Sequence, residues 1–192
     1  MNTRTRIQTS NNSSINIHKQ FLNNDTVTFL IKYYKKLPYF QDNYNFNGNI
    51  VQSPRLICYM GVKNYFYSGI NHVPIPFDNI TKTLLDLIVK LYPYQYNGCL
   101  INYYRNGNDS IGMHTDNESC IDLSVPIINL SLGSNRTLIV KDIKTNEKHK
   151  ILMESGSLIG MIGDFQQDCI HGIAKEKNIL TPRISITFRR FK

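Results

Sequence analysis

His114-Thr115-Asp116 sets two metal-ligand side chains at i and i+2. In extended chain such residues point to the same side, so both can reach one ion. A third ligand has to come from elsewhere. Among the other histidines, His18 and His149 lie in polar surroundings and His72 in a Pro-rich loop, whereas His171 sits in the apolar stretch QQDCIHGIA between two strand patterns. Two histidines and one carboxylate on one face of a ferrous ion leave three positions open, the arrangement used in non-haem iron oxygenation. With five histidines in the chain an HxD tripeptide also arises by chance, and a hydrogen-bonded core histidine is the commoner fate of a residue such as His171. The tripeptide alone decides nothing.

The terminal segment PRISITFRR carries more information. By the two-residue period of a strand, Arg183, Ser185, Thr187 and Arg189 share one face, and Ile184, Ile186 and Phe188 share the other. Such a strand suits a position where the apolar face packs in the core and the polar face lines a pocket for a dianion. Arginine's planar fork matches a carboxylate bidentately, so two of them can grip both ends of a dicarboxylate. The alternative is a solvated edge whose charges discourage aggregation. Asn102 and Tyr104 form another i, i+2 pair upstream of the HxD; their amide and phenol can donate to carboxylate oxygens, or they belong to an ordinary strand edge.

These residues need a scaffold. After Asp25, Val27, Leu30, Ile31, Tyr34 and Leu37 recur at helical spacing, with Lys35 and Lys36 near the C-terminus and Pro38 as the stop. Asp78 is the expected N-cap of a second helix whose stripe is Ile80, Leu84, Leu87, Ile88 and Leu91. Between them lie an aromatic, turn-rich loop from Tyr39 to Phe46 and a strand, IVQSPRLICYMG, broken at Pro54. From Gly98 onward the pattern becomes short apolar runs separated by Gly, Asn, Asp or Pro: CLINYY, VPIINLSL, TLIVKDI, HKILM, SLIGMI and PRISITFRR. Many short strands in succession predict a double-sheet jelly roll or barrel, with the two helices covering one face.

At 192 residues, 41% of them hydrophobic, the chain is the size of one ordinary domain. No apolar run approaches the roughly eighteen residues that span a bilayer, so no membrane association is expected. The opening MNTRTRIQTSNNSSINI has no apolar core for a secretory signal. Arg4, Arg6 and an acid-free Ser/Thr stretch share features with a mitochondrial presequence, but the Asn-rich run reads better as a disordered polar tail over residues 1–18, ahead of a single domain over 19–192. The widely spaced Cys58, Cys99, Cys120 and Cys169 read as reduced thiols, which points to an intracellular setting, nucleus or cytoplasm. Ala174 is the only alanine while Asn and Ile abound, a bias of AT-rich genomes, viral ones among them. The net charge of +8 and pI near 9.3 favour a polyanionic partner.

In chain order the chemistry-bearing residues read N-x-Y, H-x-D, H, then two Arg six apart, and together they resemble the AlkB family of iron/2-oxoglutarate dioxygenases. NGCLINYYRNGNDSIGMHTDNE, residues 97–118, and the segment 156–191 carry the likeness; it is looser over 21–96, which includes SPRLICYMG and YFYSG. The resemblance implies an α+β, mainly β fold: a double-stranded β-helix, or cupin-like jelly roll, with two N-terminal helices packed on one sheet. It implies a catalytic iron(II) held by His114, Asp116 and His171, with 2-oxoglutarate and O2 as cosubstrates. Asn102 and Arg189 would steady the C1 carboxylate of 2-oxoglutarate, Arg183 and Tyr104 its distal carboxylate, with Ser185 and Thr187 on the same surface. Repair-type relatives often carry Asn where this chain has Ser185, although a hydroxyl can donate a similar hydrogen bond.

For substrate, the resemblance implies alkylated DNA or RNA handled by a monomer through oxidative demethylation of bases such as 1-methyladenine and 3-methylcytosine, releasing formaldehyde, succinate and CO2. Tyr65, Tyr67, Ser68 and Glu118 correspond to substrate-pocket positions; as plain strand residues, the two tyrosines would instead be core. The Tyr39 to Phe46 loop offers aromatics that can wedge a duplex or simply cap the core. Lys141, Lys144, Lys148 and Lys150 surround an expected hairpin that either tracks phosphates or is solvated. An RNA-modification eraser, a protein demethylase or hydroxylase of the same family, and a catalytically silent nucleic-acid-binding module are the alternatives, and retention of both histidines, Asp116 and both arginines weighs against the last.

Overall fold

Strands dominate because apolar runs of four to seven residues, cut by turn formers, can pair but cannot build long helices. The computed structural model describes residues 4–46, 48–67 and 69–192. The chain opens with a hairpin of β1 (Arg4–Ser10) and β2 (Ser13–His18), followed by helix α1 (Asn24–Tyr34). Next come the hairpin β3 (Asn43–Phe46) and β4 (Asn49–Gln52), strand β5 (Leu56–Gly61), and the hairpin β6 (Tyr65–Tyr67) and β7 (Ile70–His72). Helix α2 (Asn79–Val89) leads into β8 (Gly98–Tyr104), β9 (Ile111–His114), β10 (Ile127–Gly133), β11 (Arg136–Asp142) and β12 (Lys148–Met153). The chain ends through β13 (Leu158–Gly163), the single-turn α3 (Phe165–Asp168), β14 (Cys169–Ile173) and β15 (Arg183–Arg189).

Two antiparallel sheets face each other. The larger has the order β1-β2-β13-β10-β15-β8-β5 and the smaller β12-β11-β14-β9. From β8 onward the chain passes repeatedly from one sheet to the other, which is the winding of a jelly roll. The expected α+β, mainly β architecture is the observed one. Strand alternation sorts the larger sheet: Ile184, Ile186 and Phe188 of β15, with Ile128 and Leu130 of β10, pack under Leu30 of α1 and Leu84 and Ile88 of α2. The other face of the same strands turns toward the smaller sheet, where Ile127, Leu138, Val140, Ile159 and Met161 close a second core. Side chains such as Ile186 and Phe188, both fully buried, contribute about 1.5–3 kcal/mol each by leaving water. Helices on one face of the larger sheet leave its opposite face for a chamber between the sheets.

The expectation of a disordered tail over 1–18 is overturned for residues 4–18. Strand β2 is buried along its whole length and pairs with β13, from Ser13↔Gly163 to His18↔Leu158. The Asn-rich composition hides a two-residue period: Ile15 and Ile17 enter the inter-sheet core. The polar residues at the two ends of the strand find partners, Ser13 Oγ donating to Asp168 and His18 meeting the Tyr92 hydroxyl at 3.0 Å. Both helices also differ in detail. Asn23 caps α1, its Oδ1 accepting from Thr26 N at 2.9 Å, and the helix ends at Tyr34, short of Leu37. Asp78 does cap α2, but the buried face there is Thr81, Leu84 and Ile88, while Leu87 and Leu91 stay partly in water. Polar contacts between the helices set this rotation: the Tyr33 hydroxyl donates to Asp78, and Tyr34 and Thr81 hydroxyls meet at 3.1 Å.

Candidate active site

Strand β15 lies between β10 and β8, so it is not a solvated edge. All seven of its residues are buried. Arg183 and Arg189 therefore enter the chamber as buried cations. Across the register, Arg183 faces Tyr104 and Ser185 faces Asn102 on β8, which brings that second i, i+2 pair onto the same surface. Asn102, Tyr104, Arg183, Ser185, Thr187 and Arg189 all line one chamber between the sheets, together with Tyr65 and the three metal-ligand candidates.

Strands β9 and β14 pair so that His114 and His171 stand directly opposite each other, with ring centroids 4.4 Å apart. Asp116 lies just past the end of β9, and its side chain turns back to the same point. One ligand-type atom from each of His114, Asp116 and His171 lies within 4.8 Å of the other two. His114 Nδ1 meets the Gly112 carbonyl at 2.8 Å, which leaves Nε2 free to bind a metal. The Asp116 backbone N–H donates to Gln166 Oε1 at 2.8 Å, and Phe165 packs its ring 5.7 Å from that of His171. The short helix α3, which sequence periodicity did not reveal, thus braces two of the three residues.

Arg189 grips a single oxygen of Asp116, Nη2 at 2.7 Å and Nε at 3.2 Å from Oδ2, and leaves Oδ1 on the side of His114, 3.6 Å from its Nε2. Burial alone works to raise the Asp116 pKa, but Arg189 and the two histidines win and hold it well below the usual carboxylate range. The same ion pair keeps Arg189 charged against its own burial. His171 goes the other way: burial, reinforced by His114, pulls its pKa down to about 3, so the imidazole is neutral. Arg183 has a hydroxyl rather than an acid as its bonded neighbour, Ser131 Oγ at 2.9 Å from Nε, and burial lowers its pKa to about 10.

These residues suit an iron ion with a dicarboxylate beside it. A neutral imidazole at His171 and an ionised carboxylate at Asp116 are protonation states that ligation requires. Nη1 of Arg183 and Nη1 of Arg189 are buried without a hydrogen-bond partner among the described residues, a costly state for a guanidinium and one that a bound carboxylate relieves.

Of the expected substrate contacts, Tyr65 is buried, lies under the Arg189 guanidinium, and donates from its hydroxyl to Glu118 Oε1 at 3.0 Å. It is at once a core residue, packed on Tyr59 and Phe191, and part of the chamber wall. Glu118 Oε2 is buried without a partner among the described residues. Tyr67 belongs to β6, but its side chain and the whole of Ser68 lie outside the described residues, as do the side chains of Asn45 and Phe46. A second cavity next to His114 is walled by Asp42, Tyr44, Arg55, Ile70 and Met113. Among the described aromatic side chains of the loop, Tyr44 reaches this cavity, and Tyr39 and Phe40 pack instead on Tyr103 and His72. Lys141, Lys148 and Lys150 sit on the outer face of the smaller sheet, turned away from the chamber, because Val140 and Ile151 take the inward positions of β11 and β12. Sequence reasoning missed Arg55, which is buried and donates from Nε to Asn102 Oδ1 at 2.7 Å. It also missed Gln166 and Asn129. Asn129 was detectable as an amide inside the apolar run VPIINLSL.

The sequence pattern of the 2OG-Fe(II) oxygenase superfamily matches residues 15–189, from within β2 to the last residue of β15. Human alpha-ketoglutarate-dependent dioxygenase alkB homolog 3 is 33% identical over 148 residues, which cover 72% of this chain and 52% of that protein. Bovine DNA oxidative demethylase ALKBH2 is 28% identical, over 66% of this chain and 48% of its own length. The chain thus spans about half the length of these relatives. The solved structure of OsALKBH1 superposes with a TM-score of 0.64 over 98% of this chain and all of the other, at 16% identity, and shares the fold. Among the described residues no helix is long and apolar enough to cross a membrane. With the superfamily pattern running through both sheets and the His-Asp-His cluster inside it, the chain belongs to the 2OG-Fe(II) oxygenase superfamily and is AlkB-like.

Proposed function

We propose that the chain demethylates N-alkylated bases of DNA or RNA, 1-methyladenine and 3-methylcytosine being the type substrates, with release of formaldehyde, succinate and CO2. The observation that carries the reading is the pair of buried arginines whose Nη1 atoms have no partner among the described residues, flanking a His-Asp-His cluster. His114, Asp116 and His171 are the iron ligands in this reading, and Arg189 orients Asp116 by occupying its second oxygen. Asn102 and Arg189 receive the C1 carboxylate of 2-oxoglutarate, and Arg183 and Tyr104 the distal one. Bound iron and 2-oxoglutarate supply the activation of O2 and the oxidation of the methyl carbon. The protein's share is orientation, dryness and the exclusion of competing ligands.

A base rather than a small metabolite is favoured by the surroundings of His114. A base must be drawn out of a stack to reach the iron, and aromatic contact offsets part of the cost. Tyr65 closes one side, Glu118 holds out a carboxylate oxygen that can accept from an exocyclic amine, and the cavity past His114 offers Tyr44 and Arg55. The name of one relative, DNA oxidative demethylase, and the +8 charge point the same way.

The test is anaerobic reconstitution with iron(II), addition of 2-oxoglutarate and air, and DNA and RNA oligonucleotides carrying each methylated base, with succinate and repaired base both measured. Coupled formation of the two is expected. Succinate without repair on every oligonucleotide would sink the substrate assignment, and iron binding that survives His114→Ala would sink the ligand assignment.

A further inference from the structure

Behind the polar face of β15 stands a second rank of polar residues on β10. Ser131 and Asn129 occupy the inward positions there, opposite Ser185 and Thr187 in the register. Ser131 already has a visible task, since its Oγ accepts from Arg183 Nε. Asn129 lies 8% exposed in the chamber wall, and its amide nitrogen reaches two hydroxyls on β15, Ser185 Oγ at 2.6 Å and Thr187 Oγ1 at 2.7 Å. Its Oδ1 is buried without a partner among the described residues.

A hydrogen count shows what this arrangement presents. An amide carries two N–H hydrogens and each hydroxyl carries one, four in all. If both N–H groups donate to the hydroxyl oxygens, the two O–H hydrogens must find acceptors elsewhere, and neither has one among the described residues. Turning the amide by half a turn makes the hydroxyls donate to Oδ1 and leaves the two N–H hydrogens over instead. Both arrangements leave a surplus of two donors in the chamber wall, beside the unpartnered Nη1 of Arg183. Buried donors without acceptors are costly, and an anion that accepts from several of them at once is the group that recovers the cost.

We propose that Asn129 is a positioning residue of the cosubstrate site: its amide holds Ser185 and Thr187 as a donor pair which, beside Arg183, selects an oxo acid bearing a second carboxylate. The proposal rests on the chamber being the 2-oxoglutarate site. It also gives a structural account of Ser185 standing where repair-type relatives often carry Asn, because the amide is supplied from the neighbouring strand. Asn129 acts through the two hydroxyls rather than on the iron, so its removal should change which acid is preferred more than whether an oxo acid chelates at all.

The experiment compares 2-oxoglutarate with 2-oxobutyrate, which keeps the oxo-acid head and lacks the far carboxylate, by calorimetric titration into Mn(II)-loaded protein. Asn129→Asp keeps the shape but can accept from both hydroxyls, which turns their hydrogens inward and adds a negative charge beside the far carboxylate. It should weaken 2-oxoglutarate about 100-fold or more and leave 2-oxobutyrate within about threefold. Returning the amide on the facing strand, Asn129→Ser with Ser185→Asn, should recover most of the preference. Should Asn129→Asp fail to fold, Asn129→Ser alone serves, with an expected loss of preference of about tenfold. A purely structural cross-link between β10 and β15 would lower the melting temperature and weaken both acids alike, and that result overturns the proposal, as does a preference left intact. Wild-type protein that binds the two acids equally overturns the 2-oxoglutarate reading itself and the role of Asn129 with it, so the two failures are distinguishable.

Discussion

Arg183 and Arg189 are both buried arginines on one strand face, yet replacing each by methionine should have opposite effects on stability. Arg183 is 2% exposed and has no carboxylate within ion-pair distance among the described residues. Its guanidinium hydrogen-bonds to Ser131 and to the Tyr104 hydroxyl and lies 5.4 Å from the centre of the Tyr104 ring. Those contacts are worth about 1 kcal/mol each, against a desolvation penalty of several kcal/mol for an unpaired buried ion. Burial already pulls its pKa down to about 10, a sign that the charge is poorly compensated. Arg183→Met should therefore leave the ligand-free protein as stable as wild type or raise its unfolding free energy by about 1–4 kcal/mol. For 2-oxoglutarate the sign reverses. Truncating one partner of a buried, hydrogen-bonded charge pair costs about 2–5 kcal/mol, or roughly 30-fold to a few thousand-fold in affinity. Urea unfolding of the metal-free protein and calorimetric titration of 2-oxoglutarate into the Mn(II) form measure the two quantities separately. An Arg183→Met variant that unfolds several kcal/mol more easily while binding 2-oxoglutarate like wild type would refute the view of Arg183 as an anion grip held at the expense of stability.

Arg189→Met breaks the buried pair with Asp116 and should destabilise the metal-free protein by about 3–5 kcal/mol; a divalent metal added to the variant should restore part of this in urea unfolding, and no recovery would argue against Asp116 as a ligand. Ile15→Ala should cost about 2–5 kcal/mol, because the side chain is fully buried in the inter-sheet core; a change under about 0.5 kcal/mol would mean that the first strands are dispensable. Burial, helped by the charge of Arg4, holds the His18 pKa below its ordinary 6.5. A histidine with a depressed folded pKa favours the unfolded state in acid, so stability should fall as pH drops below about 6.5, and His18→Gln should flatten the urea-midpoint profile between pH 7 and 5. An unchanged profile in that variant would assign the acid sensitivity to other groups.

Local sequence settles whatever one segment can express. The two-residue period of 183–189 separates Arg183, Ser185, Thr187 and Arg189 from Ile184, Ile186 and Phe188 wherever that strand lies, because alternation is a property of extended backbone. The HxD spacing, the Asp78 cap and the break at Pro54 are local in the same sense. Which of these segments meet is a matter of the folded whole. His171 stands beside His114 through the register of β9 with β14, and Arg189 reaches Asp116 across 73 residues of chain. The hairpin over 4–18 was hidden because its polar residues look disordered in sequence and meet their neighbours only in the folded chain, as Ser13 meets Asp168 of α3. The buried face of α2 turned on contacts with Tyr33 and Tyr34 of another helix. Asn129, an ordinary amide in an apolar run, acquired its place when β10 paired with β15. Periodicity tells which side chains share a face, but partner strands and register depend on the packing free energy of the whole sheet, which no single segment contains.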